Sequence, residues 1–314
     1  MLDEKIERKL ESFSQLPTIP YVINEVLSAL DNPGLNASHL AKLIERDQML
    51  TARVLTVANS PFYGFTRRIS TIDLAIVVLG FNSIREIVLS FLLQRFLAGV
   101  RQDIFNIKSY WNYSMFCGAA SRVLARKLGY RLAGEAFVAG LMHDIGIIII
   151  VQYMTEQFSK IRQIQEKFAL SIFEAEQEVI QSDHCGIGAW FANKWNLPDQ
   201  LCKALHYHHN TFTEVKNLDN DNKNSSDIEG IEQPLTLIVS LAEWFSMEMG
   251  FKSWALEIRQ PILYMAEDII EDMRDHEMLN PDSALDLLKQ EIIDEYENVS
   301  VLSKMPVKPL FNSG

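Results

Sequence analysis

Cysteine is scarce in this chain: Cys117, Cys185 and Cys202 are the only three among 314 residues, widely spaced and without a CxxC pair. Neither a disulfide framework nor a thiolate zinc site is suggested by that pattern, and a reducing cytosol fits it best. Basic charge is short as well. With 29 Lys and Arg against 41 Asp and Glu, the formal charge is −12. A general nucleic-acid binder needs a basic surface for its phosphate contacts, so that class is disfavoured, leaving at most a local patch such as Arg67 and Arg68. Glycine and proline are few, at 14 and 10, while 48% of residues are hydrophobic, which excludes a mainly disordered chain. The opening "MLDEKIERKLESF" alternates charges and lacks the apolar core of a signal peptide, so no export is expected.

Period-two alternation is missing over any useful length, and the expectation is an all-α fold. At this length a chain is near the upper size of one hydrophobic core, so one large helical unit with an appendage, or two packed subdomains, is expected. "LPTIP" (16–20) sets an extended entry before the helical "YVINEVLSAL". Two short helices follow, with apolar faces at Leu40, Leu43 and Ile44 and at Leu50, Val54 and Val57, and with Asp47 as the N-cap between them. This pair looks like a helix-turn-helix, but tight helix pairs are common packing units and the acidic charge weighs against DNA. Next come two strongly apolar helices, opened by Ser70 or Thr71 and by Asn82 and separated at Gly80. Gly118, Ala119 and Ala120 permit close helix approach further on. Residues 210–232, rich in Asn, Asp and Ser, are expected to be a mobile surface insertion, with more helices after it.

Two apolar stretches, 69–97 and 136–154, are long enough to imitate membrane spans. Each carries charge near its middle, Arg85 and Glu86 in the first and His143 and Asp144 in the second, so buried helices are expected instead of spans. The second stretch poses the sharper question, because "GLMHDIGIIII" puts a His-Asp pair at the head of four isoleucines. Downstream lie His184 and the adjacent His208 and His209. Imidazoles and a carboxylate are donors that one divalent ion of iron, manganese or zinc accepts, and helices can gather them around a point. Two readings stand: a metal site, or a metal-free buried hydrogen-bonded pair, since buried charge persists only when paired or coordinated.

"LPTIP", "VANSPFYGFTRRISTIDLAIVVLG", "AGLMHDIG", "DHCGIGAWFANKWNLPDQLCKALHYHH" and "SLAEWF" together resemble the HDOD domain family, over roughly residues 12 to 245. The family is the output-type relative of the HD-superfamily metal phosphohydrolases. The resemblance implies a two-lobed all-α protein with an N-terminal lobe at 1–110 and an HD-like lobe at 111–314, in a bacterial signalling role. It also implies that the metal positions fall on His143, Asp144, His184, His208 and His209, with Glu243 where an aspartate is usual. Two departures touch catalysis. Tyr113 stands where the preceding helix normally supplies a histidine, and Ile147 stands where the cyclic-dinucleotide phosphodiesterase branch has a phosphate-contacting lysine. The expectation is therefore a cytoplasmic binding module for other signalling proteins or a small nucleotide signal, without hydrolysis. The alternative is a metal-dependent phosphohydrolase acting on a nucleotide or cyclic dinucleotide. Tyr113 is read as a core aromatic, Cys185 as a small buried hydrophobe, and Glu243 as a helix carboxylate paired with a histidine.

Overall fold

A computed structural model describes residues 4–11, 19–100, 103–209, 234–251 and 281–300. Every regular element among them is helical and none is a strand, as the missing period-two pattern predicts. The 210–232 insertion lies outside the described residues, as do residues 252–280 and the C-terminal tail. The chain divides into two compact units: Pro17–Gly99, and Val100–Tyr296 together with helix α1 (Glu4–Glu11).

In the Pro17–Gly99 unit, α2 (Tyr21–Leu30), α3 (Ala37–Ile44), α4 (Gln48–Ala58) and α5 (Ile72–Leu97) pack around Leu40, Ile44, Leu50, Val54, Ile84 and Leu92. Their ends are set locally. Asn36 accepts from His39 N at 2.8 Å, Asp47 accepts from Met49 N and Leu50 N at 2.9 Å each, and Thr71 caps α5 through Leu74 N. Asn59 clamps the loop that follows α4, donating to Ile69 O and accepting from Ile69 N at 2.8 Å each. Gly80, at φ 79 and ψ 161, breaks α5 at the position where the sequence separates two helices.

In the Val100–Tyr296 unit, α6 (Ile107–Lys127) lies against α7 (Ala133–Met142), α8 (Ile145–Tyr153) runs on from α7, and α9 (Thr155–Phe168), α10 (Ile172–Ile180), α11 (His184–Lys194) and α12 (Asp199–Tyr207) follow. Helix α13 (Pro234–Glu248) packs on α6 and α12. Helix α14 (Pro281–Val299) is tied to α6 by Arg122 and Arg126, both paired with Glu295 at 2.7 and 3.0 Å. Residues 133–153 match a membrane span in length and hydropathy, but 89% of that window is buried by the chain itself. They are not one rod either. α7 ends at Met142 and α8 begins at Ile145, so the chain turns at His143 and Asp144.

Candidate metal centre

Two glycines flank that turn and decide what can approach it. A Cβ on Gly140 would overlap the backbone of Cys117 and the Ser121 hydroxyl on α6, and one on Gly146 would overlap the His184 carbonyl oxygen on α11. Only a residue without a side chain permits either approach. The first brings α6 beside His143, and the second brings the start of α11 beside Asp144. Asp183 holds that start by accepting from Gly186 N at 2.7 Å, an N-cap that leaves His184 at the first helical position.

The six residues singled out in the sequence come together. His184 Nε2 stands 3.3 Å and His208 Nε2 3.5 Å from Asp144 Oδ1, and His143 Nε2 stands 3.4 Å from Asp144 Oδ2. His209 joins through a 3.1 Å approach of its Nε2 to His184 Nε2. Glu243 lies 3.7 Å from His209 Nδ1, in line with its reading as a carboxylate beside a histidine. His208, in phase with Leu201 and Leu205, points fully inward, whereas His209, one step around, keeps 23% of its side chain exposed.

Ring orientation gives this cluster its chemical sense. His143 Nδ1 faces Gly140 O at 2.8 Å, His208 Nδ1 faces Leu205 O at 2.9 Å, and His184 Nδ1 faces Glu176 Oε2 at 2.6 Å. With each Nδ1–H donated outward, the three Nε2 lone pairs converge on a carboxylate. Lone pairs facing a carboxylate repel unless a proton or a metal cation lies between them. Asp144 is 1% exposed, and neither of its oxygens accepts a hydrogen bond from the described residues. Donors bound at about 2.1 Å to one ion lie roughly 3.0–3.4 Å apart, close to the separations seen. The cluster could therefore hold a metal ion, and the donor set fits one.

Protonation follows the same geometry. Burial pushes the Asp144 carboxyl up, but the neighbouring His143 and the contacts with His184 and His208 outweigh it and hold the group well below the usual carboxylate range. Burial, reinforced by His209, keeps His208 well below the usual imidazole range. Burial acts on His184 in the same direction, but Cys185, Glu176 and Asp144 overcome it and raise the ring.

Three participants escape a reading of the residues. Glu176 accepts from both His184 N at 2.9 Å and the His184 ring, fixing its tautomer. A signal for it existed, because Glu176 falls on the buried stripe of α10 with Ile172, Ala175 and Ile180, where a carboxylate needs a partner. Tyr113 is the buried aromatic foreseen, yet its hydroxyl enters the site, 3.2 Å from His143 Nε2 and 3.4 Å from Glu243 Oε1. Cys185 is buried as foreseen, but its sulfur faces His184 Nε2 at 3.5 Å and His208 Nε2 at 3.9 Å.

Comparison with known proteins gives a consistent result. A family model, the HDOD domain, matches residues 16–211. A protein of Geobacter sulfurreducens described as an HDOD domain protein with unknown function superposes with a TM-score of 0.71 at 22% identity, over 96% of this chain and 100% of that one. A Shewanella amazonensis protein provisionally named a metal-dependent phosphohydrolase superposes at 0.58 with 17% identity, over 96% and 97% of the two chains. A Marinobacter aquaeolei protein provisionally named for signal transduction reaches 0.67 at 18% identity, over 96% of this chain and 65% of that one. An uncharacterized protein of Treponema pallidum is 25% identical over 201 residues, which are 64% of this chain and 39% of that longer one.

Proposed function

The chain belongs to the HDOD domain family, and from that premise we propose that it is a regulatory binding module of bacterial signal transduction, built around a buried one-ion centre and without hydrolytic activity. The single observation that carries this reading is the setting of Tyr113. Its hydroxyl occupies the space between His143 and Glu243, where a second ion would require an imidazole from α6. A two-metal hydrolase clamps the attacking and leaving oxygens between its ions, so a centre limited to one ion lacks that clamp.

Enclosure supports the same conclusion. His143, Asp144, His184 and His208 are all 0–1% exposed, whereas a hydrolytic ion needs an open coordination position for water and substrate. Ile147, buried and apolar, offers a phosphate nothing to bind. Asp144, His184 and His208 would hold the ion, with His209 completing the set. An ion held there would supply Lewis acidity and a fixed point joining the segments that carry these residues. Function then lies in what the unit presents to a cytoplasmic partner, a second signalling protein or a small nucleotide signal.

The phosphohydrolase reading has one observation in its favour. His209 is only partly buried, so the donor set is open on that side, and a structural neighbour carries the name of such an enzyme. Metal analysis of the purified chain, followed by a screen of nucleotides and cyclic dinucleotides with added manganese or iron, separates the two. The expected result is about one divalent ion per chain and no turnover above background. Turnover that disappears in Asp144→Ala would overturn the binding-module reading.

A further inference from the structure

Resting on the one-ion centre just described, we propose that Cys185 Sγ is a ligand of that ion, which makes the centre a mixed imidazole, thiolate and carboxylate site suited to zinc. Ligand atoms from His184, Cys185, His208 and His209 all lie within 4.8 Å of one another. Zinc, with bonds of about 2.3 Å to sulfur and about 2.0–2.1 Å to nitrogen and four or five donors around it, sets adjacent sulfur and nitrogen roughly 3.1–3.6 Å apart and adjacent nitrogens roughly 2.9–3.4 Å apart. The protein has Cys185 Sγ at 3.5 and 3.9 Å from two imidazole nitrogens, and those of His184 and His209 at 3.1 Å from each other.

A separate observation points to the same place. The buried Asp144 carboxylate, accepting no hydrogen bond from the described residues, aims Oδ1 at the His184 and His208 nitrogens that face the sulfur. The thiol and the carboxylate thus address one pair of imidazoles. Glu176 and Leu205 O hold the other nitrogen of each ring, which fixes their direction. A thiolate changes metal choice, because sulfur prefers zinc and cobalt while oxygen-rich sites suit manganese and magnesium. Binding releases the thiol proton to solvent and leaves Cys185 as thiolate on the ion.

Cobalt(II) provides the readout, because thiolate ligation adds an intense near-ultraviolet charge-transfer band that imidazole and carboxylate cannot produce. The metal-free full chain is loaded with Co²⁺ alone. The band is expected in the wild type and in the chain carrying Cys117→Ala and Cys202→Ala, and is lost in Cys185→Ser and Cys185→Ala. Competition with zinc should show these two variants weaker by at least roughly the 10–100-fold that loss of an outer-shell partner costs. Cobalt bound by the wild type without the band, or a band that survives Cys185→Ser, overturns the ligand assignment while the ion centre stands. A wild-type chain that binds no cobalt or zinc overturns both. Should the Cys185 variants fail to fold by circular dichroism, the wild type and the Cys117/Cys202 double variant decide between these outcomes.

Discussion

In the Pro17–Gly99 unit the buried charge is Arg53, 2% exposed, which donates to Gln94 Oε1 and lies with its guanidinium carbon 5.9 Å from the Phe91 ring centre. Burial brings its pKa down to about 10. In the Val100–Tyr296 unit, Asp144 has three imidazole nitrogens around it and takes a hydrogen bond from none of the described residues. Arg53 is served by an amide oxygen and an aromatic face, both of which stabilise a cation. Asp144 is surrounded by ring nitrogens that can approach it favourably only with a proton or a metal cation between them. Buried polarity in the first unit is therefore compatible with architecture alone, whereas in the second the arrangement becomes sensible once a cation is supplied.

Five substitutions would break or sharpen that contrast. The largest effect is expected from Gly146→Ala, because the new methyl overlaps the His184 carbonyl and forces α8 from α11. Thermal unfolding should show a loss of about 3 kcal/mol or more, the upper end for overpacking, and bound metal should vanish with it. Asp144→Asn should next reduce metal content from about one ion per chain to near zero, because an amide is a poor ligand beside neutral imidazoles. Arg53→Met is its control, expected to change stability while elemental analysis finds the metal unchanged. Equal metal loss in both would erase the distinction between the two units.

Tyr113→His tests the other side of the centre. Placing an imidazole on α6 beside His143 and Glu243 should raise the ion count from about one toward about two, measured by mass spectrometry of the intact chain under non-denaturing conditions. The smallest effect belongs to Asp47→Ala. It removes the acceptor for Met49 N and Leu50 N, so chemical denaturation should register a loss of about 1 kcal/mol, with metal content untouched.

Much of this could be read from the residues because the governing signals are local. The Asp47 cap, the break at Gly80 and the turn that interrupts the apolar run at His143 each follow from the chemistry of one or two positions. The approach of His184 and His208 to Asp144, with His209 beside His184, was accessible through their types and their order along the chain. What escaped depends on side-chain direction across distant segments. Whether a cysteine sulfur faces a core or a histidine is decided by how α11 is rotated, and that rotation is fixed by the contact with Gly146, not by anything adjacent to Cys185 in sequence. Tyr113 was legible as buried, but its hydroxyl has a purpose only once α13 brings Glu243 within reach.

The contact between Gly146 and the carbonyl of His184 joins one peptide backbone directly to another. Distances that depend on interdigitated methyl groups drift whenever one of those groups is exchanged, while a distance fixed by main chain pressed on main chain does not. The spacing of the two donors beside it should therefore outlast extensive turnover among the surrounding isoleucines and leucines, and a single added carbon at that glycine should undo what dozens of conservative exchanges elsewhere leave intact.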